Sequence, residues 1–304
     1  MTPPQRRTLK FGIVTDIHYA PEESAAADTT ACDLDGCISL WKEAGTDFVV
    51  QLGDLISREG PEAETDLLTV SRMLSRYPGP MMHVAGNHCL AVAPERFFRI
   101  MGLPAPSYSF AAGGIRFIAL HAMDVSVFSE PVNDADRQML MHYRDELQAP
   151  FYCGAVGTRQ LEWLVTELDA SAGNSEPVIV LSHLPLLEET TDAKHGLLWN
   201  HEAVTEILFR YANVRACFSG HYHPGGYALR HGIHFIVVPG FVARNEPPFF
   251  HCGTAEISEG RLRIRANDSS VLHDLEFSLQ PAPAPPRRCS AGSSASMDAA
   301  APEA

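Results

Sequence analysis

Met81-Met82-His83-Val84-Ala85-Gly86-Asn87-His88 is the stretch that decides how this chain is read. A mostly apolar run leaves the core and ends in a glycine, an uncharged amide and an imidazole. Asn87 beside His88 is an odd choice for packing. It makes sense if Asn87 offers a carbonyl oxygen to a metal ion and His88 faces a bound substrate. Residues 11–18, 48–54, 178–183 and 216–223 repeat the design, each an apolar run that delivers polar side chains at its C-terminal end. The carboxyl ends of sheet strands are where α/β folds gather their sites.

The runs at 9–15, 47–52 and 81–85 read as strands, with an amphipathic helix over 31–44 (Leu34, Ile38, Trp41) and another opening near Pro61 and ending before Pro78. That β-α-β-α-β order is the pattern of a sheet covered by crossover helices. Residues 108–110 and 115–120, joined by Gly113-Gly114, predict a hairpin. Residues 124–157 read as an excursion over the site with a helix near 134–147, followed by a helix at 158–170 and a buried strand at 178–181. Then come a loop over 184–199, a helix at 202–211 and a strand at 216–219. Short antiparallel strands are expected at 227–230, 233–238, 253–258 and 261–265, with a last one at 275–279. From Pro281 the composition turns to Pro, Ala and Ser, which predicts a disordered tail over 281–304 after a folded region of 1–280.

Seven side chains are candidate metal ligands: Asp16, His18, Asp54, Asn87, His183, His221 and His223. In Asp16-x-His18 and His221-x-His223 the i, i+2 spacing puts both side chains on one side of an extended segment. A mixed O/N set suits Mn²⁺, Fe or Zn²⁺ better than Ca²⁺, and Mg²⁺ remains open. If one carboxylate bridges, two divalent ions ~3.5–4 Å apart fit together. Two such ions bring +4, Asp16 and Asp54 return −2, and a bridging hydroxide leaves about +1, which favours an anionic, phosphate-bearing substrate. Water bound to such ions has a pKa of about 7, so the hydroxide is the expected nucleophile, with His88 either protonating the leaving oxygen or steadying the charge on the phosphorane.

Asp-x-His, Gly-Asp, Gly-Asn-His, a lone strand-end His and Gly-His-x-His, in that order over residues 11–223, resemble the calcineurin-like metallophosphoesterase superfamily. The resemblance implies a four-layer α-β-β-α sandwich. It implies one metal on Asp16, His18, Asp54 and His223, a second on Asp54, Asn87, His183 and His221, with Asp54 bridging and His88 as the catalytic histidine. A narrower resemblance, to the Mn-dependent ADP-ribose/CDP-alcohol diphosphatases, is carried by Val50-Gln51-Leu52-Gly53-Asp54, Asp124-Val125-Ser126-Val127, Gln160-Leu161-x-Trp163-Leu164, Ser182-His183-Leu184-Pro185, Trp199-Asn200 and Gly220-His221-x-His223-x-Gly225-Gly226-Tyr227. Trp199 and Asn200 are read either as substrate contacts, stacking on and hydrogen-bonding a nucleoside, or as the cap of the following helix. Two positions depart from the family pattern: His18 stands where the diphosphatases often carry Gln, and Cys89 where an acid usually orients the catalytic histidine. A thiol is a poor orienting group, so His88 is expected to work less strongly or to find another carboxylate, with Asp16 the candidate. His121 ends a strand-like run and is a weaker candidate for the site. The other histidines, His195 among them, are assigned to surface or packing.

The 304 residues carry 45% hydrophobic and 20% charged side chains, ordinary for a globular protein. A net charge of −14 argues against nucleic acid as partner. Seven cysteines in no framework spacing point to reduced thiols, and no signal peptide or apolar run of ~18 residues is found, so cytoplasm is the expected location and no membrane partner is expected. The expected activity is cleavage of a phosphoanhydride or phosphodiester in a nucleoside-diphosphate-linked small molecule. The alternatives are a cyclic-nucleotide phosphodiesterase or broad phosphomonoesterase, and, in another class, a non-catalytic binding scaffold.

Overall fold

Alternation along the strands sets the layers of the structure. The computed structural model describes residues 8–21, 29–192 and 194–279. The tail expected from residue 281 lies outside the described residues. One six-stranded sheet runs in the order β12-β11-β10-β1-β2-β3, built from β1 (Leu9–Val14), β2 (Phe48–Gln51), β3 (Met81–His83), β10 (Gly253–Ser258), β11 (Arg261–Ala266) and β12 (Val271–Glu276). The other runs β4-β5-β6-β7-β9-β8, from β4 (Tyr108–Ala112), β5 (Ile115–Ala119), β6 (Val178–Leu181), β7 (Val214–Ser219), β8 (Gly226–Arg230) and β9 (Ile233–Val237). Strands β1-β2-β3 and β5-β6-β7-β9 are parallel, and the rims are antiparallel.

Phe11, Ile13, Phe48 and Val50 of the first sheet face Phe117, Ile179, Leu181 and Phe218 of the second, forming a core between the sheets. Residues one step out of phase point the other way. Val14 and Val49 meet Leu34, Trp41, Leu67 and Val70 of α1 (Thr30–Ala44) and α2 (Ala63–Leu74), with Phe97 of α3 (Pro94–Ile100). Ile118, Val178 and Val180 meet Leu140, Leu164, Leu168, Val204 and Leu208 of α4 (Asp134–Met141), α5 (Thr158–Gly173) and α6 (His201–Phe209). A period-2 strand with both faces apolar needs cover on both sides, and the order helix, sheet, sheet, helix supplies it. The four-layer sandwich implied by the sequence is the fold observed.

Beyond shifts of a few residues at element ends, three places differ from the sequence reading. Helix α3 is only seven residues, too short to show a period, and its one sequence mark is Pro94 in the first turn. The last strand is β12 at Val271–Glu276 and not 275–279. It is an edge strand with little buried surface, so it carries no alternation to detect, and the polar turn before it is closed by Asp268 accepting from the Ser270 amide at 2.8 Å. Helix α4 ends at Met141, and the chain continues in a wider, π-type turn over His142–Glu146.

His83 sits at the end of β3 opposite Gln51 of β2. Its Nδ1–H donates to Gln51 Oε1 at 3.3 Å, and the Gln51 amide donates to the Gly53 carbonyl at 2.6 Å, bracing the turn that carries Asp54. Burial with no charged partner pushes the imidazole down to about 4 from 6.5. The unfolded chain therefore takes up a proton that the folded chain refuses, and stability present above pH 6.5 is lost as pH falls towards 4. Between pH 7 and 4.5 the wild type should lose about 2 kcal/mol more than His83→Gln, on the order-of-magnitude conversion of pKa to free energy. Urea unfolding of both proteins at the two pH values measures this, and equal losses would reject His83 as the source.

Candidate metal centre

The C-terminal ends of five parallel strands deliver the candidate ligands to one place. Asp16 and His18 follow β1, Asp54 follows β2, Asn87 and His88 follow β3, His183 follows β6, and His221 and His223 follow β7. Past β1, β2 and β7 the chain turns sharply at a conformational cost: Asp16, His18, Asp54 and His221 all have positive φ, at 52°, 48°, 53° and 67°. Such strain persists only where the surroundings impose it and marks functional sites. Here backbone bonds impose it, from Asp16 N–H to Gly53 O and from His18 N–H to Asp54 O, both 3.0 Å. The glycines of the motifs leave room for these turns. A Cβ on Gly86 would fall 2.2 Å from Asp54 Oδ1, and one on Gly220 would fall 2.0 Å from Thr15 Oγ1.

Asp16, Asp54 and His183 are fully or almost fully buried, and Asn87 nearly so. Three overlapping sets of donor atoms, Asp16/His18/His223, His18/Asp54/His88 and Asp54/His183/His221, each lie within 4.8 Å of one another. Asp54 belongs to two of them. His183 Nε2 is 3.2 Å from both Asn87 Oδ1 and Asp54 Oδ2, while its Nδ1–H donates to Leu52 O at 2.8 Å. With the proton on Nδ1, three lone pairs converge at Nε2. Asp16 Oδ1 and His18 Nε2 are buried and make no hydrogen bond among the described residues. Converging electron-rich atoms without donors are what a cation requires, so these residues fit a pair of divalent metal ions.

In the absence of metal, protons answer the charge. Burial raises the Asp54 and Asp16 carboxyls, but the neighbouring histidines, His183 for Asp54 and His18 for Asp16, outweigh it and hold both below the usual range. Burial lowers His183, and the charge of Asp54 reverses that, lifting it to about 9. His18 is raised against its burial by Asp16 and Asp54. Burial lowers His88, with partial relief from Asp54.

His88 lines the pocket of about 470 Å³ above the cluster, as do His18, Asp54, Asn87, His221 and His223. Its backbone N–H donates to Asp54 Oδ1 at 2.9 Å, and its ring lies 4.7 Å from that of His18. No carboxylate hydrogen-bonds its imidazole among the described residues, so Asp16 does not take over the role of the missing acid. Cys89 is fully buried, and burial lifts its thiol to about 12, which leaves it packing only.

Trp199 and Asn200 do not line this pocket. Trp199 stacks on Tyr143 at 5.5 Å and donates to Pro150 O at 3.3 Å. Asn200 spends its amide on Val156, accepting from N–H at 3.0 Å and donating to C=O at 2.8 Å, and makes no side-chain cap on α6. Asn200 stands at the N-cap position of α6, but its side chain, like that of Trp199, pins the 124–157 excursion to the body. Gln160 and Asp124 do the same. Gln160 clasps both backbone groups of His121 at 2.8 and 3.1 Å, and Asp124 accepts from Gly157 N–H and from the Gln160 amide, both at 3.0 Å. His121 is buried against Phe98 and is not in the pocket wall. Residues that no sequence signal singled out complete the wall: Glu59, Phe128, Phe151, Tyr152 and His195.

The model of the calcineurin-like phosphoesterase family matches residues 9–225. This chain belongs to that family. The phosphoesterase is similar over most of its length to curated relatives named manganese-dependent ADP-ribose/CDP-alcohol diphosphatase. The Arabidopsis thaliana protein is 25% identical, covering 88% of this chain and 97% of its own, and the Oryza sativa subsp. japonica protein is 28% identical, covering 90% and 95%. A dimetal phosphatase from Danio rerio superposes with a TM-score of 0.75 at 26% identity, covering 89% of this chain and 99% of its own. A purple acid phosphatase from yellow lupin, at 15% identity and a TM-score of 0.62, shares the fold. Both resemblances read from the motifs therefore stand. No described helix is long and apolar enough to cross a membrane.

Because Asp54 is common to two donor sets, Asp54→Asn should lower bound metal from two ions per chain to one or fewer, by elemental analysis after dialysis against manganese. Two retained ions would reject Asp54 as a shared ligand. Gly86→Ala should do comparable damage without altering any donor, by displacing the Asp54 carboxylate.

Proposed function

We propose that this phosphoesterase hydrolyses a phosphoanhydride in a nucleoside-diphosphate-linked small molecule of the ADP-ribose or CDP-alcohol type, with two manganese ions. The observation that carries the reading is the pocket wall. Five of the seven candidate donors line it, His18, Asp54, Asn87, His221 and His223, yet no Lys or Arg is among the described residues of the wall. The negative charge of a diphosphate must then be met by metal ions held on the floor. Relatives bearing the diphosphatase name align over nearly the whole chain, which supports the same substrate class.

Asp16, His18, Asp54 and His223 would hold one ion, and Asp54, Asn87, His183 and His221 the other. When bound, such ions polarise phosphoryl oxygens and make a water nucleophilic at neutral pH. The residues of the chain do the rest. The buried carboxylates and histidines exclude bulk water from the floor, which strengthens every electrostatic contact there. His88, in the wall beside Asp54, is placed to donate a proton or hydrogen bond to the leaving oxygen. Without an acid at position 89 its orientation depends on packing, on His18 and on its own backbone bond to Asp54. Phe151, 65% exposed beside the pocket, offers a ring face on which a base can stack. Among the described residues six cysteines are free, five of them buried, in keeping with a reducing compartment such as the cytoplasm. The seven intact donors favour an enzyme over a binding scaffold.

The purified protein loaded with Mn²⁺ should release AMP from ADP-ribose, and Asp54→Ala should release none. No release from protein shown to hold two ions would remove the diphosphatase reading and turn attention to cyclic nucleotides and phosphomonoesters. His88→Ala should lower kcat by about 10²- to 10⁴-fold, the usual weight of a general acid, with metal content unchanged. Unchanged turnover would strip His88 of its role.

A further inference from the structure

The two imidazoles of the Asp54/His183/His221 trio are held in the same way from behind. His183 gives its Nδ1–H to the Leu52 carbonyl at 2.8 Å, and so turns Nε2 towards Asp54. His221 has its Nε2 2.9 Å from the His195 carbonyl, which can only accept. Its proton therefore sits on Nε2, and Nδ1 is the nitrogen left for the trio. Leu52 lies in the core at the end of β2, where the fold fixes its carbonyl. His195 lies in the 184–199 loop, between helices and strands, and something local must fix its carbonyl.

That something is Asp192. One oxygen, Oδ1, accepts from the Lys194 N–H at 3.0 Å, the His195 N–H at 2.8 Å and the His195 ring Nδ1–H at 2.7 Å. The Asp192 carbonyl accepts from the Gly196 N–H at 3.0 Å, closing the turn. A side chain that bonds backbone groups two and three residues on is a known way to set a turn. We propose that Asp192 is a positioning residue for the metal centre: by setting this turn it aims the His195 carbonyl at His221 and presents the His221 Nδ1 lone pair to the ion shared with Asp54 and His183. The inference rests on the binuclear reading above and adds to it a residue that touches no metal. The excursion braces the turn from outside, through Tyr152 Oη donating to the Lys194 carbonyl and Cys153 Sγ lying 3.8 Å from the His195 carbonyl. Backbone or side-chain groups that hold a ligating histidine from behind typically set metal affinity by about 10- to 100-fold.

The test has two readouts. Manganese affinity and stoichiometry are measured by equilibrium dialysis with elemental analysis on the full chain. The His221 ring tautomer is read in the metal-free protein by ¹⁵N NMR, with His221→Asn for assignment. Asp192→Ala should weaken one of the two ions by about 10- to 100-fold and leave the other bound, and His221 should lose its defined Nε2–H tautomer. Asp192→Asn should restore both, because its amide oxygen still accepts from the two backbone N–H groups. His195→Ala should also keep both ions, since the holding group is the carbonyl and not the ring. Wild-type affinity for both ions in Asp192→Ala, with the His221 tautomer unchanged, would overturn the proposal. A wild type holding fewer than two ions while keeping the Nε2–H tautomer, and losing it in Asp192→Ala, would count against the binuclear reading and still support the positioning role.

Discussion

Two buried carboxylates, each 3.7 Å from the same His18 nitrogen, are the constraint on which the rest of the structure depends. Asp16 and Asp54 sit with almost no water at the seam between two apolar sheets. Burying a single ionised carboxylate is strongly unfavourable unless other charge answers it, and two together are worse. Histidines, backbone amides and metal ions are the available answers. The N–H groups of His88 and His221 each reach a carboxylate oxygen at 2.9 Å, His88 on Asp54 and His221 on Asp16. Five strands end where they do, three of them turning through left-handed conformations, so that these groups arrive together.

The layers follow from the same sequence that feeds the site. Each central strand alternates between the inter-sheet core and a helix-covered face, and the candidate ligands come only past its end; Gln51 and His83, polar residues inside β2 and β3, bond each other instead. The apolar interior is thus kept apart from the polar floor. That separation lets a highly charged cluster coexist with a core of Phe11, Phe48, Phe117 and Phe218 packed ring against ring at 5.3–5.9 Å.

The floor of the site was legible in the sequence and its wall was not, for a physical reason. Asp16, Asp54, Asn87, His183 and His221 each announce themselves by interrupting an apolar run, because a strand core excludes such residues unless they are needed. Phe151, Tyr152 and Glu59 interrupt nothing: they lie in loops, where exposed aromatics and acids are ordinary. His195 was set aside for the same reason, and its contribution is largely a backbone carbonyl, which no side-chain motif can reveal. Trp199 and Asn200 erred in the other direction. Their types suit a nucleoside, but an amide or indole fixes a loop with the same hydrogen bonds. The short helix α3 and the edge strand β12 were missed or misplaced because neither has enough buried surface to impose a period.

The candidate ligands come from both sides of the sandwich: Asp16, His18, Asp54 and Asn87 from one sheet, His183, His221 and His223 from the other. Ions held by them would therefore be rivets as well as reagents. They would clamp one end of a seam held elsewhere mostly by non-directional apolar contact, with the Tyr108 hydroxyl on His83 O at 2.8 Å and the His234 ring on Glu276 O at 2.7 Å among its hydrogen bonds. The end that performs the chemistry would then also be the end where the two sheets are locked in register.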